Sequence, residues 1–138
     1  MTQTITFALA VSILVTGQPL SAQSHTQSLK AGIVMARCAA MNHSLLTTSR
    51  TSDPRLKTLE TQRDRLLKAS SIAVQAGSNS KSASDVALLL YSDWLSYFKS
   101  VYDNDATEKR SYKASVAAML IECSEHDQLA KKLVAKSR

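Results

Sequence analysis

The stretch that decides the fold is residues 29–46, LKAGIVMARCAAMNHSLL. Its apolar positions recur every three or four residues, which is the period of an α-helix and not the alternation of a strand. They form two adjacent stripes: Leu29, Ile33, Ala36 and Ala40, and then Val34, Cys38, Met41 and Leu45. A helix with so wide an apolar face needs neighbours on several sides. The sequence therefore predicts a central helix over about residues 25–46.

The rest of the chain follows the same period. It predicts further helices at about residues 54–77, 85–102 and 106–135. Pro54 suits a first helical turn, Gly77 suits a helix end, and Asp105 with Glu108 resembles a capping box for the last helix. With 3 glycines and 2 prolines in 138 residues, turn-rich β folds are disfavoured. We expect an all-α fold, an antiparallel helical bundle of about four helices.

The beginning of the chain is a separate, uncharged segment. Residues 1–22 contain no charged side chain, and residues 5–15, ITFALAVSILV, form a largely apolar run. Such a run of roughly 7–15 residues, followed by small side chains, is typical of a secretory signal peptide. We predict cleavage after Ala22, with a cut after Gly17 as second choice. An uncut membrane anchor and an ordinary buried segment are the alternatives. The run is shorter than the roughly 18–20 residues of a membrane-spanning helix. We therefore expect one periplasmic or extracellular domain, residues 23–138, without a transmembrane segment.

The 2 cysteines, Cys38 and Cys123, lie near the centres of the first and last predicted helices. In an up-down bundle these two helices are antiparallel neighbours, so their centres lie at the same height. Exported chains meet an oxidising compartment in which thiols pair. The sequence predicts one intramolecular disulfide, Cys38–Cys123, with reduced or intermolecularly paired cysteines as the alternatives.

The same cysteines permit a second hypothesis, a zinc site completed by His43 and His126. Cys123 and His126 share a helix face, but the spacing of Cys38 and His43 rotates them by about 140° from each other. The spacing favours the disulfide, and we expect neither a metal nor a cofactor. His126 also lies near Glu122, and a carboxylate can tune an acid–base histidine. A solvated acidic patch is the simpler interpretation, since no nucleophile motif or phosphate loop accompanies it.

Two surfaces are candidates for contact with a partner. Aromatic residues concentrate on the third predicted helix, and Trp and Tyr are enriched in binding hot spots. The candidate partner-binding residues are Tyr91, Trp94, Tyr97 and Tyr102, with core packing as the alternative. The candidates for contact with an anionic surface are Lys131, Lys132, Lys136 and Arg138, with simple solvation of a helix end as the alternative. The net charge of +6 fits either. Nucleic acid is not expected, because basic residues do not interleave with the aromatic ones.

These observations favour an exported binding or accessory protein without enzymatic activity. Its partner would be a protein, which the sequence does not identify, or an anionic surface. The interior of a helical bundle can instead hold a small ligand or cofactor, and this is the alternative function. A third hypothesis is an enzyme whose residues are dispersed along the chain and form no recognisable motif.

Overall fold

The computed structural model of the protein describes residues 20–78, 81–105 and 108–138. Within these ranges the regular structure is helical, with four α-helices and no strand. They are α1 (Leu20–Thr48), α2 (Leu56–Ser78), α3 (Ala83–Asn104) and α4 (Arg110–Lys136). The predicted all-α class and helix number are confirmed. The predicted signal peptide lies outside the described residues except for residues 20–22, which begin α1.

Helices α1 and α2 together form the centre of the bundle. Each contacts all the other helices, and the most extensive contact between helices is the one between these two. The side chains that α1 buries almost completely are Met35, Ala36, Cys38, Ala39, Ala40 and Met41. Half of these are alanines, which let neighbouring helices approach closely. Four residues of the predicted stripes, Ala36, Cys38, Ala40 and Met41, are therefore in the core, whereas Ile33 is 38% exposed and the buried Met35 and Ala39 lie outside the predicted stripes.

Two glycines make the contact between α1 and α2 especially close. A Cβ atom on Gly77 would lie 2.5 Å from the main-chain nitrogen of Leu29 and 2.6 Å from the carbonyl oxygen of His25. A Cβ atom on Gly32 would lie 2.8 Å from Cγ2 of Val74. Neither glycine has a positive φ. The absence of a side chain, and not conformational freedom, is what these positions require.

Hydrogen bonds between helices show their directions. Ser70, late in α2, donates to the carbonyl oxygen of Gly32, early in α1, over 2.6 Å. The hydroxyl of Tyr112, at the start of α4, lies 2.9 Å from that of Ser44, near the end of α1. Helix α1 is thus antiparallel to both α2 and α4. The C-terminal halves of α1 and α3 line one cleft, so these two helices run in parallel.

The predicted disulfide is confirmed. Cys38 and Cys123 are bonded, with their Cα atoms 5.4 Å apart. The bridge joins α1 to α4, a pair whose packing contact is much smaller than that of α1 with α2. One turn beyond Cys123, the buried carboxylate of Asp127 accepts two hydrogen bonds of 2.8 Å from Arg65 of α2. A covalent bond and a bidentate ion pair therefore hold α4 against the α1–α2 pair.

The start of α4 differs from the prediction. The helix begins at Arg110 and its N-cap residue is Lys109, four residues later than the predicted start. Glu108 and Lys109 both have left-handed backbone conformations, with φ of 53° and 61°. The carboxylate of Asp105 instead accepts a hydrogen bond from the main-chain nitrogen of Ser111 over 2.7 Å. Asp105 therefore accepts from a main-chain N–H of the first turn that has no partner within the helix, as an N-cap side chain does. It does so from six residues before Ser111, whereas an N-cap residue lies two or three residues before the N–H that it caps.

Candidate functional site

Two of the four aromatic candidates, Tyr91 and Tyr102, are partly buried and contact side chains of neighbouring elements. The hydroxyl of Tyr91 forms a hydrogen bond with Nδ1 of His43 on α1. The ring of Tyr102 packs edge-to-face against Tyr112 of α4, with centroids 5.0 Å apart, and Nζ of Lys109 lies 4.3 Å from its centroid. These contacts explain both tyrosines as links between helices. A role for them in partner binding stays a prediction.

The other two aromatic candidates form a cluster at the surface. The rings of Trp94 and Tyr97 pack edge-to-face with centroids 5.4 Å apart. Both rings also contact Phe98, which is completely buried and anchors them to the core. Tyr97 is 47% exposed. The cluster is thus anchored to the core through Phe98 and the partly buried Trp94, and Tyr97 contributes its most exposed surface.

Arg37 of α1 completes this cluster, and the sequence analysis missed it. Its guanidinium lies 5.4 Å from the centroid of Trp94, within the range of a cation–π interaction. It also forms an ion pair with Glu122 of α4. Nε of Arg37 is buried and has no hydrogen-bond acceptor within the described part of the chain. The one available signal was that Arg37 is the only charged residue in residues 31–46.

Apolar side chains continue the cluster along α3. Val86 is 37% exposed and Leu89 is 64% exposed, values at which they contribute little to the core. Residues 86, 89, 93 and 97 are separated by steps of three and four, so they share one side of the helix. We call the surface formed by Arg37, Val86, Leu89, Trp94 and Tyr97 the docking face. Exposed large apolar side chains that share one side of a helix are typical of interaction sites.

The predicted basic tail is exposed at the end of α4. Lys132, Lys136 and Arg138 are open to solvent. Lys131 is half exposed, and its Nζ lies 3.9 Å from the carboxylate of Asp127. Contact of this tail with an anionic surface stays a prediction.

A cleft of about 340 Å³ lies between the C-terminal halves of α1 and α3. Its lining residues are His43, Ser44, Thr47, Thr48, Leu95, Lys99, Tyr102 and Asp103. Burial, and then the charge of Arg63, lowers the pKa of His43 below its ordinary value of 6.5. The hydroxyls of Ser44 and Thr48 both lie within hydrogen-bond distance of that of Tyr112. The cleft is thus mainly neutral, and part of its polar lining is already satisfied internally.

The structure does not join the candidate residues for an enzyme through their side chains. Nδ1 of His126 donates to the main-chain carbonyl of Glu122 over 2.8 Å, whereas the carboxylate of Glu122 pairs with Arg37. The disulfide occupies both sulfur atoms that the zinc hypothesis needs. Among the described residues, no group of three or more His, Cys, Asp or Glu side chains is arranged to hold a metal ion.

None of the helices in the described ranges combines the length and hydropathy needed to cross a membrane. Comparisons with protein-family models, with curated proteins and with solved structures found no match to this chain.

Proposed function

We propose that the protein is an exported, non-enzymatic accessory protein that binds a protein partner through the docking face. The disulfide supports a location outside the cytoplasm, because protein disulfides persist in oxidising compartments and are rare in the cytosol. The apolar run of residues 5–15, which is typical of a signal peptide, supports the same location independently. The domain would act in the periplasm or outside the cell after removal of residues 1–22.

The observation that carries this proposal is the contact of Arg37, Trp94 and Tyr97 at the surface. Trp, Tyr and Arg are the residue types most enriched among binding hot spots, which lie in well-packed surroundings. Here Arg37 lies over Trp94, Trp94 packs edge-to-face against Tyr97, and both rings contact the buried Phe98. A surface that is already ordered loses little conformational entropy when it binds. The position of this cluster on a disulfide-bridged bundle therefore suits a docking function.

Affinity capture from the native envelope or culture medium tests the proposal. The bait is the mature protein, and the test variants are Leu89→Arg and Tyr97→Ala. The matched control is Ile121→Arg, because Ile121 is 76% exposed on α4 and lies outside the docking face. All four baits are first compared by thermal unfolding, so that loss of binding is not confused with loss of fold.

We expect the wild type and Ile121→Arg to retain the same partner, and both docking-face variants to lose it. Truncation of a hot-spot side chain costs at least about 2 kcal/mol of binding free energy, which is roughly a thirtyfold loss of affinity. If the docking-face variants fold normally and capture the same proteins as the wild type, the proposal is wrong.

The cleft beside His43 favours a second candidate, the binding of a small ligand. Its volume of about 340 Å³ is at the lower end of the range for ligand pockets. Native mass spectrometry of the protein purified from its own host tests this candidate, together with its absorbance spectrum. A bound mass that is lost in a Thr47→Trp variant, which would fill the cleft, supports it. A native mass equal to that of the polypeptide alone argues against it.

A further inference from the structure

The charge of α3 is opposite to that of the rest of the protein. Helix α3 contains three acidic residues, Asp85, Asp93 and Asp103, and one basic residue, Lys99. Its formal charge is therefore −3 + 1 = −2, in a chain whose net charge is +6. Asp103 is paired with Lys99, and Asp85 lies in the first turn, where a negative charge suits the helix dipole. Neither explanation applies to Asp93.

Asp93 lies in the middle of the docking face. It is exposed in mid-helix, four residues after Leu89 and four before Tyr97. Within the described ranges it forms no ion pair. Leu89, Asp93 and Tyr97 therefore form a line along α3 about 12 Å long, since a helix rises about 1.5 Å per residue. The side chains of Leu89 and Tyr97 lie at the two ends of this line, and the carboxylate of Asp93 lies at its centre.

A partner that covers Leu89 and Tyr97 must also cover Asp93. Removing an ionised carboxylate from water is costly unless an opposite charge or hydrogen-bond donors replace the water. Arg37 cannot be assumed to do so, because its charge is already paired with Glu122. The partner must therefore supply the compensating groups, and a Lys or Arg side chain supplies an opposite charge and N–H donors together.

We infer that the docking face binds a helical segment with a Lys or Arg between apolar residues at four-residue spacing. This inference rests on the proposed function, and it specifies the chemistry of the partner. A helix is the matching element, because side chains four apart on two packed helices form interlocking ridges. The apolar residues would contact Leu89 and Tyr97, and the basic residue would pair with Asp93.

Two synthetic peptides test this inference by fluorescence anisotropy. Each is an amphipathic helix with the same leucine face; one carries lysine at every polar position and the other carries glutamate. The net charge of +6 makes non-specific attraction favour the glutamate peptide. Tighter binding of the lysine peptide is therefore expected only if a local acidic surface such as the docking face receives it.

The decisive comparison uses two variants with the same change in net charge on the same helix. Asp93→Asn should weaken binding of the lysine peptide at least about tenfold, because it removes a covered charge pair. Asp103→Asn should leave binding within about twofold, because Asp103 is an exposed residue paired with Lys99. Equal effects of the two variants, or no preference for the lysine peptide, would overturn the inference.

The two levels of the proposal fail in different ways. If Leu89→Arg and Tyr97→Ala abolish peptide binding but Asp93→Asn does not, the docking face stands and the basic partner is wrong. If none of these variants affects binding, the docking face is wrong as well. Sedimentation of the protein alone provides a further test. A dimer that Leu89→Arg dissociates identifies a second copy of this chain as the occupant, and also overturns the inference.

Discussion

The substitution Gly77→Ala should destabilise the protein, although helix propensity alone predicts the opposite. In the interior of an ordinary helix, alanine is more stable than glycine by roughly 0.5–1 kcal/mol. Gly77 has no positive φ, so alanine suits its backbone conformation. The added Cβ, however, would lie 2.5 Å from the nitrogen of Leu29 and 2.6 Å from the carbonyl oxygen of His25. Both are main-chain atoms, so the two helices themselves must move apart.

Overpacking of this kind costs roughly 1–3 kcal/mol. Subtracting the gain in propensity leaves a net loss between about 0 and 2.5 kcal/mol in the free energy of unfolding. Because both close contacts are with main-chain atoms, we expect the upper half of this range, about 1–2.5 kcal/mol. Gly32→Ala should cost less, because its closest neighbour at 2.8 Å is the end of a side chain, Cγ2 of Val74. Gly77→Ala should therefore be the less stable of the two variants, because it displaces main-chain atoms and Gly32→Ala mainly displaces a side chain.

Urea unfolding monitored by far-ultraviolet circular dichroism measures both values. Gln75→Ala, an exposed position on the same helix, is the control and should change stability by less than about 0.5 kcal/mol. A Gly77→Ala variant as stable as the wild type, or more stable, would mean that α1 and α2 are not as close at this point as described here.

Three further outcomes are expected. Replacing Cys38 and Cys123 together by Ser should lower the free energy of unfolding by about 4 kcal/mol, since the bridge closes a loop of 85 residues; added reductant should then have no effect on the variant. Asp127→Ala should cost on the order of 2 kcal/mol by leaving Arg65 without its partner, whereas the exposed Asp64→Ala should cost almost nothing in the same urea assay. Because burial lowers the pKa of His43, the unfolded chain binds more protons than the folded one just below pH 6.5. Thermal stability should therefore fall as the pH falls below 6.5, and His43→Gln should reduce this dependence; an unchanged profile in that variant would contradict the assignment.

The helices could be predicted because the spacing of apolar residues is visible within each segment. The disulfide could be predicted because the chain has only two cysteines, both near the centres of predicted helices. The apolar stripes of residues 29–46 predicted part of the buried face of α1 but wrongly included Ile33, which is 38% exposed. The matching heights of Cys38 and Cys123 predicted the covalent contact. The helix ends were less predictable. The expected helix end at Gly77 agrees within one residue with the end of α2 at Ser78, but its close approach to α1 could not be predicted.

The composition of the docking face could be predicted only in part. Trp94 and Tyr97 were among the candidates, because an aromatic concentration on one helix is visible in the sequence. The contribution of Arg37 depends on how α1 packs beside α3, and no local pattern records that packing. The inward positions of Tyr91 and Tyr102 depend in the same way on partners from α1 and α4. Tertiary contacts decide which side chains of an aromatic helix remain exposed.

Site-specific photo-cross-linking in the producing cell examines the docking face under native conditions. A photoreactive phenylalanine analogue is introduced at position 97 in one variant and at position 121 in the other. Both positions are exposed, at 47% and 76%, and only the first belongs to the docking face. We expect a discrete cross-linked product from position 97 and none of the same mass from position 121. If position 97 yields no product, or if both positions yield the same products, the docking face is not where this protein meets its partner.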